Sequence, residues 1–352
     1  MNDNKNIKPT NIVLSIIIPC YNVSPYIDRC LHSIFNQYFR KDTLQVLLIN
    51  DASTDDTYNK LLHWEQLYPN QILLFNNEHN MRQGTSRNIG IHYATGKYIG
   101  FVDADDWIEP NMYEKLITIA EYANCDIVSC NLTHSQNKNS SSATQEHDIV
   151  YYMFDDNNRS DFIASETLNT YVVTKVYRRS FILENSIFFP QEVIFEDHFF
   201  IEMLKVYLSS VAILEDELYH YCATPNSTVR CHNSAAHFDI IKTSKYLWAE
   251  CTSRGLFQKP FGSALEYRLI YYYWFVGSKM LVVFHNPIPY DTLIQIKSDI
   301  IEMIPDFREN IYLTDYFVPQ PLTSILTKIL SLPLSKSEFI QLIDKIKKIN
   351  LF

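Results

Sequence analysis

The first third of the chain alternates short apolar runs with segments of helical spacing, and this alternation restricts the possible folds more than any other feature. Val13 to Ile18 is a nearly continuous, largely β-branched run, which is typical of a strand covered on both faces of a sheet. Apolar residues at helical spacing follow from Ile27 to Phe35, and the same order recurs up to a fifth apolar run at 126–129. The pattern predicts an α/β fold with a doubly wound sheet.

Polar segments directly follow the first, second and fourth of these predicted strands. They are Pro19-Cys20-Tyr21-Asn22, the segment from Asn50 to Thr57, and Asp103-Ala104-Asp105-Asp106. Ligands of doubly wound sheets bind outside the carboxyl ends of the strands. We therefore predict that the three segments form one shared site.

The third segment places three carboxylates within four residues, at Asp103, Asp105 and Asp106. It follows an apolar run that ends at Val102, so its negative charge lies at the end of a buried strand. Hard divalent ions such as Mg²⁺ and Mn²⁺ take oxygen ligands and are often held by one or two carboxylates together with substrate phosphates. The segment predicts such a metal site, or else a solvated acidic turn that caps the helix beginning near Pro110.

Composition narrows the class of protein. The formal net charge of -10, without a stripe of Lys and Arg, argues against a nucleic-acid-binding protein, because phosphate contacts need clustered cations. The seven cysteines are an odd number and lie scattered, which favours reduced thiols and a cytoplasmic protein. Residues 1–11 are polar and lack the apolar core of a signal peptide, so we expect a flexible N-terminus and no export.

The chain is long enough for a main domain and an appendage, with 352 residues of which 47% are hydrophobic. Residues 134–147 are poor in apolar side chains and predict an exposed, mobile loop. This loop divides a main domain, 12–230, into halves at 12–130 and 148–230. From 235 to 352 the apolar spacing is helical almost throughout, which predicts a smaller helical C-terminal domain.

Five motifs, taken in order, resemble a known family over roughly residues 12–225. They are Pro19 to Asn22, Asn50 to Thr57, Asn80 to Gly90, Asp103 to Asp106, and Glu196-Asp197. The chain resembles the inverting, nucleotide-sugar-dependent glycosyltransferases of family 2. The resemblance implies the GT-A fold, a mixed sheet whose Rossmann-like nucleotide-binding half precedes the acceptor half. It also implies a hexosyltransferase that moves a sugar to a hydroxyl of a glycan or lipid-linked acceptor in bacterial surface polysaccharide synthesis.

The nucleotide contacts follow from the resemblance. Asp51 is similar to the family residue that binds the base, and a carboxylate accepting from a ring N–H suits uracil, so we expect a UDP-sugar donor. Pro19, Tyr21 and Asn22 would lie along the nucleotide, with Tyr21 alternatively in the core. Arg87 resembles a family Arg near the nucleotide, with an exposed helical Arg as the alternative.

The metal contacts are likewise implied by the resemblance. Asp105 is our first choice of ligand for Mn²⁺ or Mg²⁺, and Asp103 would contact the ribose or the metal. Asp106 either assists at the donor or caps the entry to the next helix. His220 either ligates the metal, as a His does in some GT-A enzymes, or is a satisfied strand residue.

Two features depart from the family pattern. Arg82 occupies a position that usually holds Gly, and we expect it to reach toward the donor sugar or the diphosphate. Many relatives also carry an Arg after the aromatic strand late in the catalytic domain, where this chain has Cys222. Phosphate contact is then expected from Lys175, Arg178 or Arg230.

Inversion requires a base that takes the proton from the acceptor hydroxyl. Asp197 resembles that base, with Glu196 beside it as the second candidate. Side chains one residue apart on a helix diverge, so only one of them is expected to face the acceptor. The alternative is that both carboxylates merely stabilise a helix N-terminus.

Two C-terminal segments allow several interpretations. The apolar stretch from Leu269 to Phe284 carries Lys279 and is shorter than the roughly 20 residues that a membrane span needs. We expect it to pack within the protein, with sugar stacking or a homodimer interface as alternatives. The last predicted helix, 336–349, is amphipathic and mildly basic, which is compatible with peripheral contact at the inner face of a membrane.

Two other functions compete with the transferase. A sugar nucleotidyltransferase would be expected to carry a Gly-rich, Arg-containing phosphate loop after the first strand, and Pro19 to Asn22 is not such a loop. A non-catalytic glycan-binding or assembly subunit with the same fold is disfavoured by the complete set of acidic motifs.

Overall fold

The structure is a computed structural model that describes residues 11–135, 148–155, 158–223, 231–314 and 321–348. Most of the predicted loop at 134–147, nearly all of the predicted N-terminal segment and Arg230 lie outside the described residues. The domain boundaries predicted above therefore stay predictions at these points.

The strands follow the alternation read from the sequence. Their bounds are β1 Leu14–Cys20, β2 Leu44–Asn50, β3 Ile72–Asn76, β4 Tyr98–Phe101, β5 Trp107–Ile108, β6 Ile127–Ser135, β7 Ile149–Met153, β8 Lys175–Arg178 and β9 Ser210–Cys222. Among the described residues they form one sheet of nine strands, ordered β3-β2-β1-β4-β8-β6-β9-β5, with β7 beside β9. Strand β9 has 13 residues.

The sheet is mixed, and its parallel part carries the predicted site. Strands β3, β2, β1 and β4 are parallel neighbours, while β8 runs antiparallel to both β4 and β6. Cys20 at the end of β1 lies opposite Asn50 at the end of β2, and Ile17 lies opposite Phe101 of β4. This register brings the polar segments after β1, β2 and β4 to one edge, and the predicted α/β fold class is confirmed.

The helices are listed in chain order. They are α1 Ile27–Phe35, α2 Thr57–Leu67, α3 Arg82–Tyr93, α4 Met112–Ala123, α5 Arg159–Ala164, α6 Arg179–Glu184, α7 Glu196–Tyr207, α8 Asp239–Ser253, α9 Gly262–Ile270, α10 Gly277–Phe284, α11 Tyr290–Met303, α12 Ile311–Thr314, α13 Pro321–Ser331 and α14 Lys336–Lys348. Ahead of α1, the Ser24 backbone N–H donates to Asp55 Oδ2 at 3.1 Å, which joins the loop after β1 to the loop after β2.

The chain divides into two compact units. The first takes its described residues from Met1–Phe154, Leu168–Glu192 and Tyr207–Pro225, and it contains the sheet. The second takes them from Asp155–Thr167, Val193–Val206 and Asn226–Phe352. The second unit therefore includes two segments from within the predicted main domain, because helices α5 and α7 pack with the C-terminal helices.

The core of the first unit explains why its strands read as continuous apolar runs. All seven residues of β2 are buried, as expected for a strand covered on both faces. Helix α3 lies so close to β1 that a Cβ at Gly90 would be 2.3 Å from Ile17 Cγ2. Glycine at this position therefore permits the close approach of helix and sheet.

The second unit is organised around the aromatic segment that follows Leu269. Residues Tyr271–Val276 form a π-helical segment between α9 and α10. Trp274 is buried, and its Nε1 donates to the carbonyl of Leu326 at 2.9 Å. Tyr273 is also buried and donates to Asp299. The expectation that this stretch packs within the protein is therefore met for these two side chains.

The apolar face of the last helix, α14, is buried within the second unit. Phe339, Ile343 and Ile346 are buried, while Lys345, Lys347 and Lys348 are exposed. Burial of the apolar face accounts for the amphipathic pattern of α14. Within the described ranges, the structure contains no helix whose length and apolar content would suffice to cross a bilayer.

We predict that Gly90→Ala destabilises the protein by about 1–3 kcal/mol, because the added methyl overpacks the contact with Ile17. Thermal melting and urea unfolding measure the change. Gly277→Ala is the matched control, since the nearest atom to its added Cβ is 3.6 Å away. In a helix Ala is favoured over Gly by about 0.5–1 kcal/mol, so the control should be stabilised. A Gly90→Ala variant as stable as the parent would contradict this packing.

Candidate active site

Asp51, directly after β2, is a buried polar residue at this sheet edge. It is 3% exposed, and its Oδ1 accepts hydrogen bonds from Asn77 Nδ2 at 2.8 Å and from the Met81 backbone N–H at 2.9 Å. Among the described residues, no donor is bonded to its second oxygen, Oδ2. The protein thus fixes the carboxylate through one oxygen and leaves the other to accept from a ligand. Asn77, which the sequence analysis missed, is the residue that orients it.

The loop after β1 is tied to the loop after β2 by Asn22. The Asn22 Oδ1 accepts from the Thr54 backbone N–H at 2.8 Å, and the Asn22 N–H donates to Ser53 Oγ at 3.1 Å. Its backbone is left-handed, with φ of 52°, a conformation that Asn tolerates better than most residues. Asn22 therefore shapes the site through its Oδ1 and its backbone N–H, and its contact with a nucleotide stays a prediction.

Tyr21 and Pro19 flank this loop on the side of the strand. Tyr21 is 46% exposed, so its ring is not a core residue. Pro19 lies within β1 opposite Ile49 and is half-buried. An exposed aromatic ring next to a fixed carboxylate provides a surface for a planar, hydrogen-bonding group.

The acidic loop is fastened to β9 by Asp106. Its two oxygens accept from the Tyr219 hydroxyl at 2.6 Å and from the Cys222 backbone N–H at 2.7 Å, and Asp106 is 1% exposed. The Tyr219 hydroxyl in turn accepts from the Asp103 N–H at 3.2 Å. Asp106 is thus the structural support of the loop and not its ligand-facing carboxylate. Tyr219 belongs to the aromatic strand noted in the sequence, but the sequence did not indicate that its hydroxyl would support the acidic loop.

The electrostatics of this loop favour a bound cation. Burial, reinforced by the neighbouring carboxylates of Asp103 and Asp105, raises the pKa of Asp106 to about 8. Desolvation is the larger cause of this shift, and only the part contributed by Asp103 and Asp105 reflects the negative potential of the loop. A divalent cation placed among these carboxylates would relieve that potential.

Asp103 is held by Arg87. The Arg87 Nη2 lies 2.8 Å from Asp103 Oδ1, and the Arg87 side chain is buried while that of Asp103 is 40% exposed. The neighbouring residue Asn88 exchanges two hydrogen bonds with the backbone of Phe189, at 2.8 and 2.9 Å. Arg87 is therefore a buried support for Asp103, not the exposed helical Arg of the alternative interpretation.

Asp105 is, besides Asp103, the other carboxylate of the loop that is not fully buried. It is half-buried, and its backbone carbonyl accepts from Arg29 Nη2 at 2.7 Å. Asp103 and Asp105 offer the hard oxygen donors that Mg²⁺ and Mn²⁺ prefer. Across the described residues there is no complete group of three or more His, Cys, Asp or Glu set for a metal. The donor set therefore fits a metal whose remaining ligands come from substrate or water.

His220 lies on β9, and its ring contacts Glu109 and Trp107. Its Nε2 is 2.6 Å from Glu109 Oε1, and its ring stacks on Trp107 with centroids 3.4 Å apart. At 1% exposure it is the satisfied strand histidine of the alternative interpretation. The Nε2 atom of His220 is thus engaged with Glu109, and the metal-ligand role of His220 stays a prediction.

Lys175 and Arg82 differ sharply in accessibility. Lys175 is completely buried, and its Nζ donates to Asn169 Oδ1 at 2.7 Å and to the Tyr171 carbonyl at 2.6 Å. This geometry does not present Lys175 to a phosphate, so it is left out of the proposed donor site. Arg82 is exposed at the start of α3, and its guanidinium makes no hydrogen bond or ion pair within the described part of the chain.

Glu196 and Asp197 begin α7 in the second unit. Glu196 is completely buried, whereas Asp197 is partly exposed. The Asp197 Oδ1 accepts from the His198 backbone N–H at 2.9 Å. The two side chains therefore diverge as expected for adjacent helical residues, and Asp197 is the one with access to solvent.

The profile of the glycosyl transferase family 2 matches residues 15–184. These residues form a family 2 glycosyltransferase domain. The matched segment contains the sheet-edge loops described above and ends before α7. The family resemblance carried by the motifs is confirmed.

Curated bacterial relatives match the same part of the chain. The uncharacterized glycosyltransferase YibD of Escherichia coli K12 is 40% identical over 118 residues, which are 34% of this chain and 33% of YibD. The uncharacterized glycosyltransferase EpsJ of Bacillus subtilis 168 is 30% identical over 218 residues, 61% of this chain and 62% of EpsJ. The poly(ribitol-phosphate) beta-N-acetylglucosaminyltransferase TarS of Staphylococcus aureus Mu50 is 28% identical over 214 residues, 59% of this chain and 35% of TarS. The chain thus spans about a third to three fifths of the length of these relatives.

Solved structures extend the likeness in fold beyond the family 2 domain. S. aureus TarS 1-349 in complex with UDP-GlcNAc superposes with a TM-score of 0.68 and 19% identity, covering 96% of this chain and 92% of that one. The mannosyltransferase PcManGT of Pyrobaculum calidifontis, in complex with GDP-Man and Mn²⁺, gives a TM-score of 0.52 and 14% identity over 97% and 91% of the two chains. The predicted GT-A fold followed by a helical C-terminal region is confirmed.

The backbone at Arg82 leads to a prediction within the family 2 domain. Its φ is 68°, the left-handed region that glycine adopts without strain, which explains why glycine is usual there. We predict that Arg82→Gly is more stable than Arg82→Ala by about 1 kcal/mol, the reverse of the ordinary order at helical positions. Chemical unfolding of both variants measures the difference. An Arg82→Ala variant more stable than Arg82→Gly would refute the strained backbone.

Proposed function

We propose that this protein is a metal-dependent, inverting glycosyltransferase that moves a sugar from a UDP-sugar to a hydroxyl of a glycan or lipid-linked acceptor. The observation that carries the proposal is the juxtaposition, at one sheet edge of a family 2 domain, of the fixed Asp51 carboxylate and the acidic loop at Asp103 to Asp106. The first suits a nucleobase, and the second suits the metal of a diphosphate.

The choice of uracil follows from the one open oxygen of Asp51. Uracil offers a single ring N–H, which Oδ2 accepts while Oδ1 stays bonded to Asn77 and Met81. The Watson–Crick edge of guanine offers two N–H donors and that of cytosine offers an unprotonated ring nitrogen, so neither matches one open acceptor as well. The exposed ring of Tyr21 supplies the stacking surface. UDP in TarS 1-349, a protein of the same fold, is consistent with this choice.

We assign the diphosphate to the part of the same sheet edge where the acidic loop would bind the cation. A bound Mn²⁺ or Mg²⁺ stabilises the charge that develops on the leaving phosphate. Asp105 and Asp103 would hold that ion, with Asp106 keeping their loop in place through Tyr219. The exposed guanidinium of Arg82 adds a second positive charge within reach of the donor.

Asp197 is our proposed base. As the more accessible of the two carboxylates that begin α7, it accepts the proton of the attacking hydroxyl, while the buried Glu196 does not face solvent. A positioned base contributes roughly 10²–10⁴-fold to such a step.

The acceptor belongs to a bacterial surface polysaccharide, in line with the ribitol-phosphate polymer in the name of TarS. Its synthesis places the protein in the cytoplasm, at or near the inner face of the membrane.

The proposal is tested by UDP release from a panel of UDP-sugars, in Mn²⁺ and again in EDTA, with calorimetric titration of UDP on the same sample. Metal-dependent release from one donor supports the transferase and names its sugar. Binding of UDP without release points to a strict acceptor requirement. Absence of both would overturn the proposal in favour of a non-catalytic subunit.

Replacing Asp105, the proposed metal ligand, tests whether the metal dependence of UDP binding requires this carboxylate and not merely the net charge of the protein. Asp105→Ala should abolish the Mn²⁺-dependent part of UDP affinity, because the loop loses an accessible oxygen donor. Asp42→Ala is the control with the same change in charge, since Asp42 is exposed and pairs with Arg40 on the surface. Isothermal titration with and without EDTA gives both affinities. Unchanged manganese dependence in Asp105→Ala would remove Asp105 from the metal site.

Replacing the proposed base should separate chemistry from donor binding. Asp197→Asn keeps the size of the side chain but cannot take a proton at neutral pH, so transfer should fall by roughly 10²–10⁴-fold. Affinity for UDP should stay within error, because the uracil and metal contacts lie in the first unit. Single-turnover transfer and UDP titration measure the two quantities. Transfer at the parental rate would place the base elsewhere.

A further inference from the structure

The residue before the proposed base has an uncommon backbone. Phe195 has φ of 65°, and a bulky aromatic residue in the left-handed region is an outlier that persists only where its surroundings enforce it. It immediately precedes Glu196, the first residue of α7. The direction in which α7 begins, and with it the side chain of Asp197, therefore depends on whatever holds this segment.

Helix α8 holds the preceding residue, Ile194, through both of its backbone polar groups. The Thr243 hydroxyl donates to the Ile194 carbonyl at 3.1 Å, and Asp239 Oδ2 accepts from the Ile194 N–H at 3.3 Å. Thr243 and Asp239 are one turn apart on α8 and are both buried. The other oxygen of Asp239 accepts from Lys242 Nζ at 2.8 Å, which keeps this carboxylate in place.

Apolar packing holds the same segment from the side. Ile194 and Phe195 form a buried cluster with Ile240 of α8 and Met280 of α10. Because Ile240 follows Asp239 in the chain, one short stretch of α8 supplies both the polar and the apolar contacts. The segment is thus clamped to α8 at the point where its backbone is strained.

The body of α7 is anchored separately. Glu202 is completely buried, and its Oε1 accepts from Arg268 Nη2 at 2.8 Å and from Lys205 Nζ at 3.1 Å. These charges hold the helix body, whereas the chain that leads into its first turn is held by α8. That turn carries Asp197.

We propose that Thr243 is a positioning residue for Asp197, acting through the Ile194 carbonyl and the left-handed Phe195. This inference rests on the proposed function, in which Asp197 is the base. The hydroxyl of Thr243 fixes the path of the chain into α7, and so sets where the carboxylate of Asp197 stands relative to the acceptor hydroxyl. Misplacement of a reacting group by about 1 Å can lower a rate by about 10²-fold.

The test uses Thr243→Val, which keeps the shape of the side chain and removes only the hydroxyl, and Thr243→Ser, which keeps the hydroxyl. Thr243→Val should lower kcat by about 10–100-fold with unchanged KM for the donor and unchanged UDP affinity. Thr243→Ser should recover most of the rate. Thr243→Ala, which also lacks the hydroxyl, serves if Thr243→Val does not melt cooperatively. Parental kcat in the hydroxyl-free variant would overturn the inference.

A double-mutant cycle separates positioning from general destabilisation. If Thr243 acts through Asp197, the variant that combines Thr243→Val with Asp197→Asn is no slower than Asp197→Asn alone. Multiplied losses would mean that Thr243 has only a structural role and would overturn the inference. The cycle also distinguishes the two proposals: a parental rate in Asp197→Asn removes the base, whereas a slow Asp197→Asn with a parental Thr243→Val removes only the positioning role.

Discussion

The buried hydrogen bonds of Asp106 are the interaction on which the candidate site depends. They fasten the acidic loop to β9 through Tyr219 and the Cys222 backbone, so that the loop keeps one conformation despite three neighbouring carboxylates. A buried carboxylate that accepts two hydrogen bonds is costly to disturb, because removing a donor leaves it unsatisfied. The same enclosure, together with the charges of Asp103 and Asp105, raises its pKa to about 8. Asp106 thus supports the loop, while Asp103 and Asp105 keep accessible surface.

The two units use buried polar groups for different purposes. In the first unit, Arg87 and Asn77 bond to carboxylates that also keep accessible surface or an open oxygen, so their effect is to orient Asp103 and Asp51 toward a ligand. In the second unit, Arg268 and Lys205 neutralise Glu202 inside the core of the unit, with no exposed atom to present. Such a pair contributes to the geometry of α7 more than to net stability.

Particular residues show what reasoning from sequence can and cannot reach. The alternation of strands and helices, the shared sheet edge and the divergence of Glu196 from Asp197 follow from period and adjacency, which are local properties of the chain. Lys175 and His220 were sensible candidates by type, but the fold buries both against partners of their own, Asn169 and Glu109. The spacing of residues in the sequence does not indicate partners that lie more than a hundred residues apart, such as Tyr219 and Asp106.

The sequence by itself determined the α/β alternation, the order of the polar loops, the family of the domain and the presence of a carboxylate cluster after β4. Periodicity and motif order carry this information because each reflects contacts within a few residues or a fixed succession of elements. Only the tertiary structure decided which carboxylates remain accessible, which oxygen of Asp51 is open and why Arg82 and Phe195 have left-handed backbones. Those properties depend on burial and on bonds between distant elements, and both exist only once the chain has folded.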